Sequence, residues 1–284
     1  MIRNRRRHWI SRSWVVVTAW AILAVLAGRG RAELPEVIRV VTYNIHHGEG
    51  VDGKFDLPRI ADVLRAAKPH IVALQEVDQD TRRSGGVDQP AELARLTGMQ
   101  VVFGRNIDYD GGGYGTAVLT KLPFRSHKSF KLKSFYPPTA ENPEQRGVQA
   151  LEFGEKVGPR LWFLCTHLDY RPPDDERMAS AKTINELVAK RGDELAILAG
   201  DLNATPDSRV IAEFAKQWKI AGPGKSVTKP LLTFPASKPD RWIDYVMVRP
   251  AERWKIVEVR AFDEPVASDH RPLLAVLRRS SEKH

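Results

Sequence analysis

The sequence has 284 residues, of which 42% are hydrophobic and 28% charged, and its formal net charge is +9. This is the composition of a globular protein, and it excludes a chain that is disordered as a whole. The length suits one large domain or two small ones, and such a chain can bury most of the apolar surface that its unfolded form exposes.

The positive charge is concentrated in the N-terminal 32 residues, which hold seven arginines and no acidic residue. Without this segment, 37 basic residues face 35 acidic ones, which leaves a net charge of about +2. A nearly neutral body lacks the electrostatic field that drives non-specific binding to DNA. The composition therefore argues against a general nucleic-acid-binding protein.

The same N-terminal segment has the organisation of a targeting signal. Met1–Trp9 is basic, Trp14–Ala27 is a run of 14 residues without charge, and the small residues Gly30 and Ala32 lie next to a cleavage point before Glu33. A membrane-spanning helix needs about 20 apolar residues, so the run is short for a permanent anchor. We expect residues 1–32 to be a cleaved signal peptide, with an uncleaved membrane anchor as the alternative. The protein is then exported, to the periplasm or the surroundings of the cell.

The rest of the chain alternates apolar strands with a few amphipathic helices. The β-branched run Ile38–Ile45 is typical of a buried strand, and Leu57–Ala67 has apolar residues at helical spacing with Asp56 as its N-cap. Further strands are predicted at 71–77, 100–104, 114–120, 148–153, 161–167, 195–199, 242–248, 254–262 and 273–277, and further helices at 91–97, 175–190 and 208–217. Irregular loops are predicted at 106–113, 133–147 and 219–240.

About ten strands with few helices, and no break that suggests a second core, predict a single domain over residues 33–284. The expected fold class is an α/β (α+β) sandwich, two packed mixed β-sheets flanked by helices. The only cysteine, Cys165, lies in an apolar run and is expected in the core, with no disulfide or thiolate metal site.

Polar residues that can bind a metal follow the ends of the predicted strands, where core packing gives no reason for them. Carboxylate and amide oxygens suit Mg²⁺, and also Mn²⁺ or Ca²⁺, better than a thiolate-binding metal. Because the set contains no Ser or Cys nucleophile, it indicates attack by an activated water. Each residue alone is as readily a solvated surface group, and only their joint occurrence points to a site. They are Asn44, Glu76, His167, Asp201, Asn203, Asp244, Asp269 and His270.

These residues lie in six short stretches that resemble, in order, the signature motifs of the endonuclease/exonuclease/phosphatase superfamily. That superfamily includes DNase I, abasic-site endonucleases, sphingomyelinases and inositol polyphosphate 5-phosphatases. The resemblance extends from Val37 to about Leu277 and implies a DNase I-like fold. It also implies Mg²⁺-dependent hydrolysis of a phosphoester. Because export is expected, the expected substrate is a phosphodiester in extracellular nucleic acid or in a phospholipid head group. The stretches are Thr42–Ile45, Leu74–Asp78, Thr166–Leu168, Gly200–Asn203, Asp244–Tyr245 and Ser268–His270.

The resemblance assigns metal binding to three residues. Glu76 is implied as the main Mg²⁺ ligand, with Asn44 beside it at the metal or at a phosphate oxygen. Asp269 is implied at the metal or on the leaving-group side.

The catalytic roles fall, by the same resemblance, to five residues. Asp201 is implied to orient or deprotonate the attacking water, which Asn203 positions. His167 donates to a phosphate oxygen, and His270 pairs with Asp244, whose carboxylate fixes its tautomer and favours its charged form.

Other residues are candidates for substrate binding. Arg146 and Arg177 could hold an anion bidentately, although surface salt bridges are an equal alternative. Tyr114 lies in a glycine-rich stretch and Tyr170 follows His167 by three residues. His46 and His47 directly follow the first motif and either reach the site or only shape its entry loop.

Two alternatives bear on function. The inositol polyphosphate 5-phosphatase branch is disfavoured, because that branch has a Cys-Asp-Arg run where this chain has Trp242–Tyr245. A non-catalytic binding module that keeps the fold is the competing class, and loss of a motif residue such as Glu76 or Asp201 would favour it; none is lost. We expect a phosphoester substrate as the partner, no obligate protein partner, and a monomer.

Overall fold

The structure is a computed structural model that describes residues 34–135, 144–155, 158–222 and 231–280. The strands are β1 (Val37–Asn44), β2 (Ile71–Gln79), β3 (Gln100–Tyr109), β4 (Gly112–Thr120), β5 (Phe124–Lys131), β6 (Gly147–Phe153), β7 (Leu161–His167), β8 (Leu195–Asp201), β9 (Lys219–Ile220), β10 (Asp244–Arg249), β11 (Trp254–Ala261) and β12 (Leu273–Arg279). The helices are α1 (Leu57–Ala67), α2 (Gln89–Thr97), α3 (Asp175–Ala189) and α4 (Arg209–Phe214).

The described strands form two six-stranded mixed sheets. The first has the order β11-β12-β1-β2-β4-β3 and the second β5-β6-β7-β8-β10-β9. Each sheet contains one parallel pair near its centre, β1 with β2 and β7 with β8, and antiparallel pairs around it. The predicted fold class is therefore confirmed. In each sheet, the strands of the parallel pair are central strands, so their ends lie near the middle of the sheet.

Apolar residues on both faces of the central strands produce a layered core. In β1, Ile38 and Val40 pack between the two sheets, whereas Val41 and Tyr43 face the layer of α1 and α2. Alternation with a period of two sends successive side chains to opposite faces, so a strand that is apolar throughout must be covered on both sides. Helices α3 and α4 cover the outer face of the second sheet.

Several local predictions agree with the structure. Helix α1 has the predicted bounds, and the Asp56 carboxylate accepts a hydrogen bond from the Arg59 amide at 2.9 Å, as an N-cap does. Cys165 is fully buried between the sheets.

The prediction of a loop over 106–113 is wrong, because strands β3 and β4 continue through this stretch as a hairpin that turns at Asp110 and Gly111. The glycines were read as loop residues, but they serve close packing of backbones. A Cβ on Gly112 would lie 2.2 Å from the carbonyl oxygen of Gln79.

Strand β5 was missed as an element because its sequence, Phe124–Lys131, is mostly polar and exposed at the sheet edge. Within the region predicted as irregular, 219–240, the structure adds the short strand β9.

The predicted leader lies outside the described residues, as do 136–143 and 223–230 of two predicted loops. In the described part of the chain, no helix has the length and apolar character needed to cross a bilayer.

Candidate active site

The topology brings four strand ends to one place. In the parallel pair β7–β8, His167 lies in register with Asp201, and in the antiparallel pair β8–β10, Asp244 lies opposite the same Asp201. Strand β1 of the other sheet ends at Asn44, whose side chain reaches Asp201 across the two sheets. The site is therefore built at the ends of central strands of the two sheets.

Glu76 owes its direction to a β-bulge. Strand β2 is predicted over 71–77 but continues to Gln79, so Glu76 lies within the strand. The pairing of β2 with β4 shifts register between Leu74 and Val77. Glu76 has a φ of 55°, in the left-handed region. A bulge re-aims a side chain, and a strained backbone at a bulge is common beside functional sites. The Glu76 carboxylate consequently faces the cleft, while Gln75 turns inward against Cys165.

Asn44 links the two halves of the site. Its fully buried amide nitrogen donates to Glu76 Oε1 at 2.9 Å and to Asp201 Oδ2 at 3.1 Å. Its carbonyl oxygen accepts the backbone N–H of His46 at 3.1 Å. These contacts position the two carboxylates; the implied role of Asn44 as a metal or phosphate ligand stays a prediction.

His270 lies between two buried carboxylates. Its Nδ1 is 2.9 Å from Asp244 Oδ2, which is the predicted pairing, and its Nε2 is 3.6 Å from Asp201 Oδ2. Burial by itself would lower the pKa of His270, but the charges of Asp244 and Asp201 and the hydrogen bond to Asp244 outweigh it and raise the pKa to about 10. His270 is therefore an imidazolium at neutral pH.

Asp201 is the carboxylate at the centre. It is almost fully buried, its Oδ1 accepts the Asn203 backbone N–H at 2.9 Å, and its Oδ2 is 3.5 Å from His167 Nε2. Burial and the nearby Asp244 charge raise the pKa of Asp201 well above the usual range of an aspartate, while His270 opposes the rise. A carboxylate with a raised pKa is a better proton acceptor near neutral pH than an exposed one.

His167 has the opposite electrostatic environment. Burial, with the charges of Arg146 and His270, holds the pKa of His167 well below its ordinary value, so the ring is neutral. Arg146 Nη1 lies 3.0 Å from His167 Nδ1, and because a guanidinium can only donate, Nδ1 accepts and Nε2 carries the proton. That proton faces Asp201 and the cleft. The Asn203 amide nitrogen lies 3.2 Å from the same His167 nitrogen. As both are then donors, it makes its hydrogen bond to the Leu168 carbonyl instead, at 3.0 Å.

These side chains open on a cleft of about 500 Å³. A second cleft of about 460 Å³ continues from it and shares Tyr114, Glu144 and Tyr170 with the first. The first cleft is lined by Glu76, Tyr114, Glu144, Arg146, His167, Tyr170, Asp201, Asn203, Thr205, Phe234, Arg241, Ile243, Asp269 and His270.

Of the four predicted substrate-binding residues, three line this cleft and one does not. Arg146 is 1% exposed, and although Nη1 is engaged, its Nε and Nη2 have no hydrogen-bond partner within the described residues. Tyr114 is buried at the junction of the two clefts, and Tyr170 is 65% exposed at the rim. Arg177 lies apart, where its Nη1 donates to the backbone carbonyls of Asp169 and Arg171.

Sequence reasoning missed two further residues that line the cleft, Phe234 and Glu144. Phe234 has its ring centroid 4.7 Å from that of His270, and Glu144 has a carboxylate oxygen 2.5 Å from Arg146 Nη1. Burial raises the pKa of Glu144, with Arg146 opposing. No motif marks these residues, since they come from irregular segments that only the fold brings to the site.

The site offers the donor set expected for a hard cation. Glu76 and Asp269 present carboxylates to the cleft, and Asn44 holds one Glu76 oxygen in place. Oxygen ligands of this kind fit Mg²⁺, Mn²⁺ or Ca²⁺. Asp201, Asp244 and His270 also lie with one possible ligand atom each within 4.8 Å of one another. In that group, however, the charged His270 lies between the two carboxylates and offsets one of their negative charges.

Comparison with known proteins identifies a matching family and a similar protein. The family model described as "Endonuclease/Exonuclease/phosphatase family" matches residues 41–270. The protein YbhP of Escherichia coli (strain K12), itself uncharacterised, is 27% identical over 251 residues, which cover 84% of this chain and 94% of that protein.

Solved structures share the fold. The endonuclease/exonuclease/phosphatase of Beutenbergia cavernae DSM 12333 superposes with a TM-score of 0.69 at 22% identity, covering 86% of this chain and 72% of that one. A mannosyl-6-phosphatase of Bacteroides thetaiotaomicron VPI-5482 superposes with a TM-score of 0.67 at 18% identity, covering 84% and 99%.

Proposed function

Because the chain belongs to the endonuclease/exonuclease/phosphatase family of hydrolytic phosphoesterases, we propose that it hydrolyses a phosphodiester by metal-assisted attack of water. The observation that carries the proposal is the Asp201 carboxylate. It is buried in the cleft wall and lies within 3.6 Å of a charged imidazolium and within 3.5 Å of a neutral imidazole. A structural role in the core would not need two imidazoles of different charge beside one buried carboxylate.

The metal would be held by Glu76 and Asp269, with Asn44 fixing Glu76. When bound, Mg²⁺ would supply positive charge at the phosphoryl oxygens and favour deprotonation of water.

The residues of the chain perform the other tasks. Asp201 takes a proton from the water while the water oxygen forms a bond to phosphorus. The bond between phosphorus and the leaving oxygen breaks, and the leaving oxygen keeps its electrons. His270, held as a cation by Asp244, and the Nε2–H of His167 stabilise the negative charge that builds on the phosphoryl oxygens. Asn203 keeps Asp201 oriented through its backbone N–H.

Arg146 supports an anionic substrate. Its buried guanidinium borders the cleft, and its Nε and Nη2 have no hydrogen-bond partner among the residues that the structure describes. Leaving such donors buried without partners costs about 1–3 kcal/mol or more, and a phosphate oxygen would satisfy them bidentately.

The second cleft supports a diester over a small monoester. It continues past Tyr114 and Tyr170 and is also lined by Arg83 and Tyr109. A group on the far side of the phosphate would have room there, as a nucleotide or a lipid head group requires.

The test uses the purified full chain with Mg²⁺, Mn²⁺ or Ca²⁺ against bis-p-nitrophenyl phosphate, p-nitrophenyl phosphate, plasmid DNA, sphingomyelin and an inositol phosphate. Metal-dependent turnover of the diester is expected, and Glu76→Gln and His270→Asn should each reduce it at least a hundredfold. The exposed Glu186→Gln and His127→Asn serve as matched controls. A folded chain without turnover under any metal would favour a binding module instead.

We further propose that the protein is exported by its leader and acts as a monomer without an obligate protein partner. The basic residues followed by the uncharged run Trp14–Ala27 support export. The mass of the native N-terminus tests this, with a start near Glu33 expected. Light scattering of the purified chain tests the monomer.

A further inference from the structure

A turn directly after β1 places two histidines beside Glu76. His46, His47 and Gly48 all have positive φ, at 46°, 45° and 82°. Left-handed backbone costs a non-glycine residue roughly 1 kcal/mol or more and persists only where the surroundings enforce it. The His46 and His47 rings lie at an angle of 62° with their centroids 4.4 Å apart. One possible ligand atom from each ring and one from Glu76 all lie within 4.8 Å of one another.

Glu49 determines which ring nitrogens are left for a ligand. His46 Nδ1 lies 3.1 Å from the Glu49 carbonyl oxygen, and His47 Nε2 lies 3.2 Å from Glu49 Oε2. Both partners only accept, so these two nitrogens carry the protons of the neutral rings. The lone pairs are therefore on His46 Nε2 and His47 Nδ1.

The second of these lone pairs is an independent sign of a ligand. His47 is 9% exposed, and its Nδ1 is buried with no hydrogen-bond partner in the described part of the chain. A buried acceptor without a donor is rare in folded proteins and calls for an explanation such as a missing ion. An imidazole whose other nitrogen donates to a carboxylate or carbonyl is also the usual arrangement of a metal-binding histidine.

We propose that His46, His47 and Glu76 form a second cation site that takes a transition metal such as Mn²⁺ or Zn²⁺ in preference to Mg²⁺. Two imidazoles and one carboxylate suit these metals, whereas Mg²⁺ favours oxygen ligands. The site goes beyond the proposed function and shares only Glu76 with it. Its occupation would bridge the turn after β1 to the Glu76 carboxylate.

The experiment measures binding without substrate, so its failure is distinct from failure of the hydrolase proposal. The full chain, stripped of metal, is titrated calorimetrically with Zn²⁺ and with Mn²⁺ in excess Mg²⁺. Tight binding is expected to persist in Mg²⁺, and His46→Ala or His47→Ala should weaken it at least tenfold. The exposed His127→Ala is the control and should leave it unchanged.

A second measurement keeps the proposal testable if a variant does not fold. In wild-type protein with ¹⁵N-labelled histidine, Zn²⁺ should shift the resonances of His46 Nε2 and His47 Nδ1 but not those of His127. Unshifted resonances of His46 and His47, or Zn²⁺ affinities unaffected in folded variants, would overturn the site.

Discussion

Replacing Asp244 by Asn tests the electrostatic arrangement of the site directly. The substitution keeps the shape and an acceptor for His270 Nδ1, 2.9 Å away, but removes the charge. The rise of the pKa of His270 from 6.5 to about 10 corresponds to roughly 4–5 kcal/mol of preference for the imidazolium. We expect the pKa of His270 in the variant to move back toward 6.5, because burial then acts against the charge with only Asp201 and Asp269 to oppose it.

The stability consequence depends on pH in a defined direction. A folded-state pKa that is raised stabilises the fold fully below the unfolded value of 6.5, and this contribution disappears as the pH rises through about 10. Linkage gives about 4 kcal/mol at pH 7 and less than about 1 kcal/mol at pH 9.5 for His270. Asp244→Asn should thus lower the free energy of unfolding by up to about 4 kcal/mol at pH 7, and by little at pH 9.5.

The assay is urea unfolding between pH 6 and 9.5 in EDTA, together with an NMR titration of the His270 ring. The exposed Asp193→Asn is the control and should not change the pH dependence. Wild-type His270 titrating near 6.5, or equal destabilisation of Asp244→Asn at both ends of the pH range, would refute the reasoning.

Three further predictions follow from particular contacts. Arg146→Lys should lower kcat/KM for bis-p-nitrophenyl phosphate about a hundredfold, because a lysine cannot donate to His167 and to a phosphate in the way that a guanidinium does. The exposed control Arg95→Lys should leave kcat/KM unchanged, and equal kinetics of the two variants would show that Arg146 does not bind substrate. Burial raises the pKa of Cys165 to about 12, so its thiol should resist Ellman's reagent at pH 8 until the protein is unfolded in guanidinium, and rapid labelling of native protein would contradict its burial. Gly200→Ala should lower the free energy of unfolding by roughly 2 kcal/mol or more in urea titrations, since its Cβ would lie 2.1 Å from the Thr166 carbonyl oxygen; an unchanged midpoint would argue against this close approach.

Sequence alone determined the layers of the fold, because its signals are local. The apolar runs Ile38–Ile45 and Leu161–His167 predict strands covered on both faces, and Asp56 caps the helix that begins at Leu57. Each motif is also a short stretch of sequence, so the motifs and their order along the chain can be recognised without knowledge of the fold. The sequence does not predict the polar edge strand β5 or the extension of β3 and β4 through 106–113, because these segments are strands by their pairing and not by their composition.

Only the tertiary structure decided how the motif residues act. The bulge that turns Glu76 to the cleft depends on its pairing with β4, and the charge of His270 depends on Asp244, 26 positions away. Whether an arginine lies buried beside the cleft or apart from it is likewise set by the fold. Arg146 and Arg177 were indistinguishable candidates in the sequence, and burial against His167 separates the first from the second. Electrostatics depends on distance and solvent exposure, and a chain acquires both only when it folds.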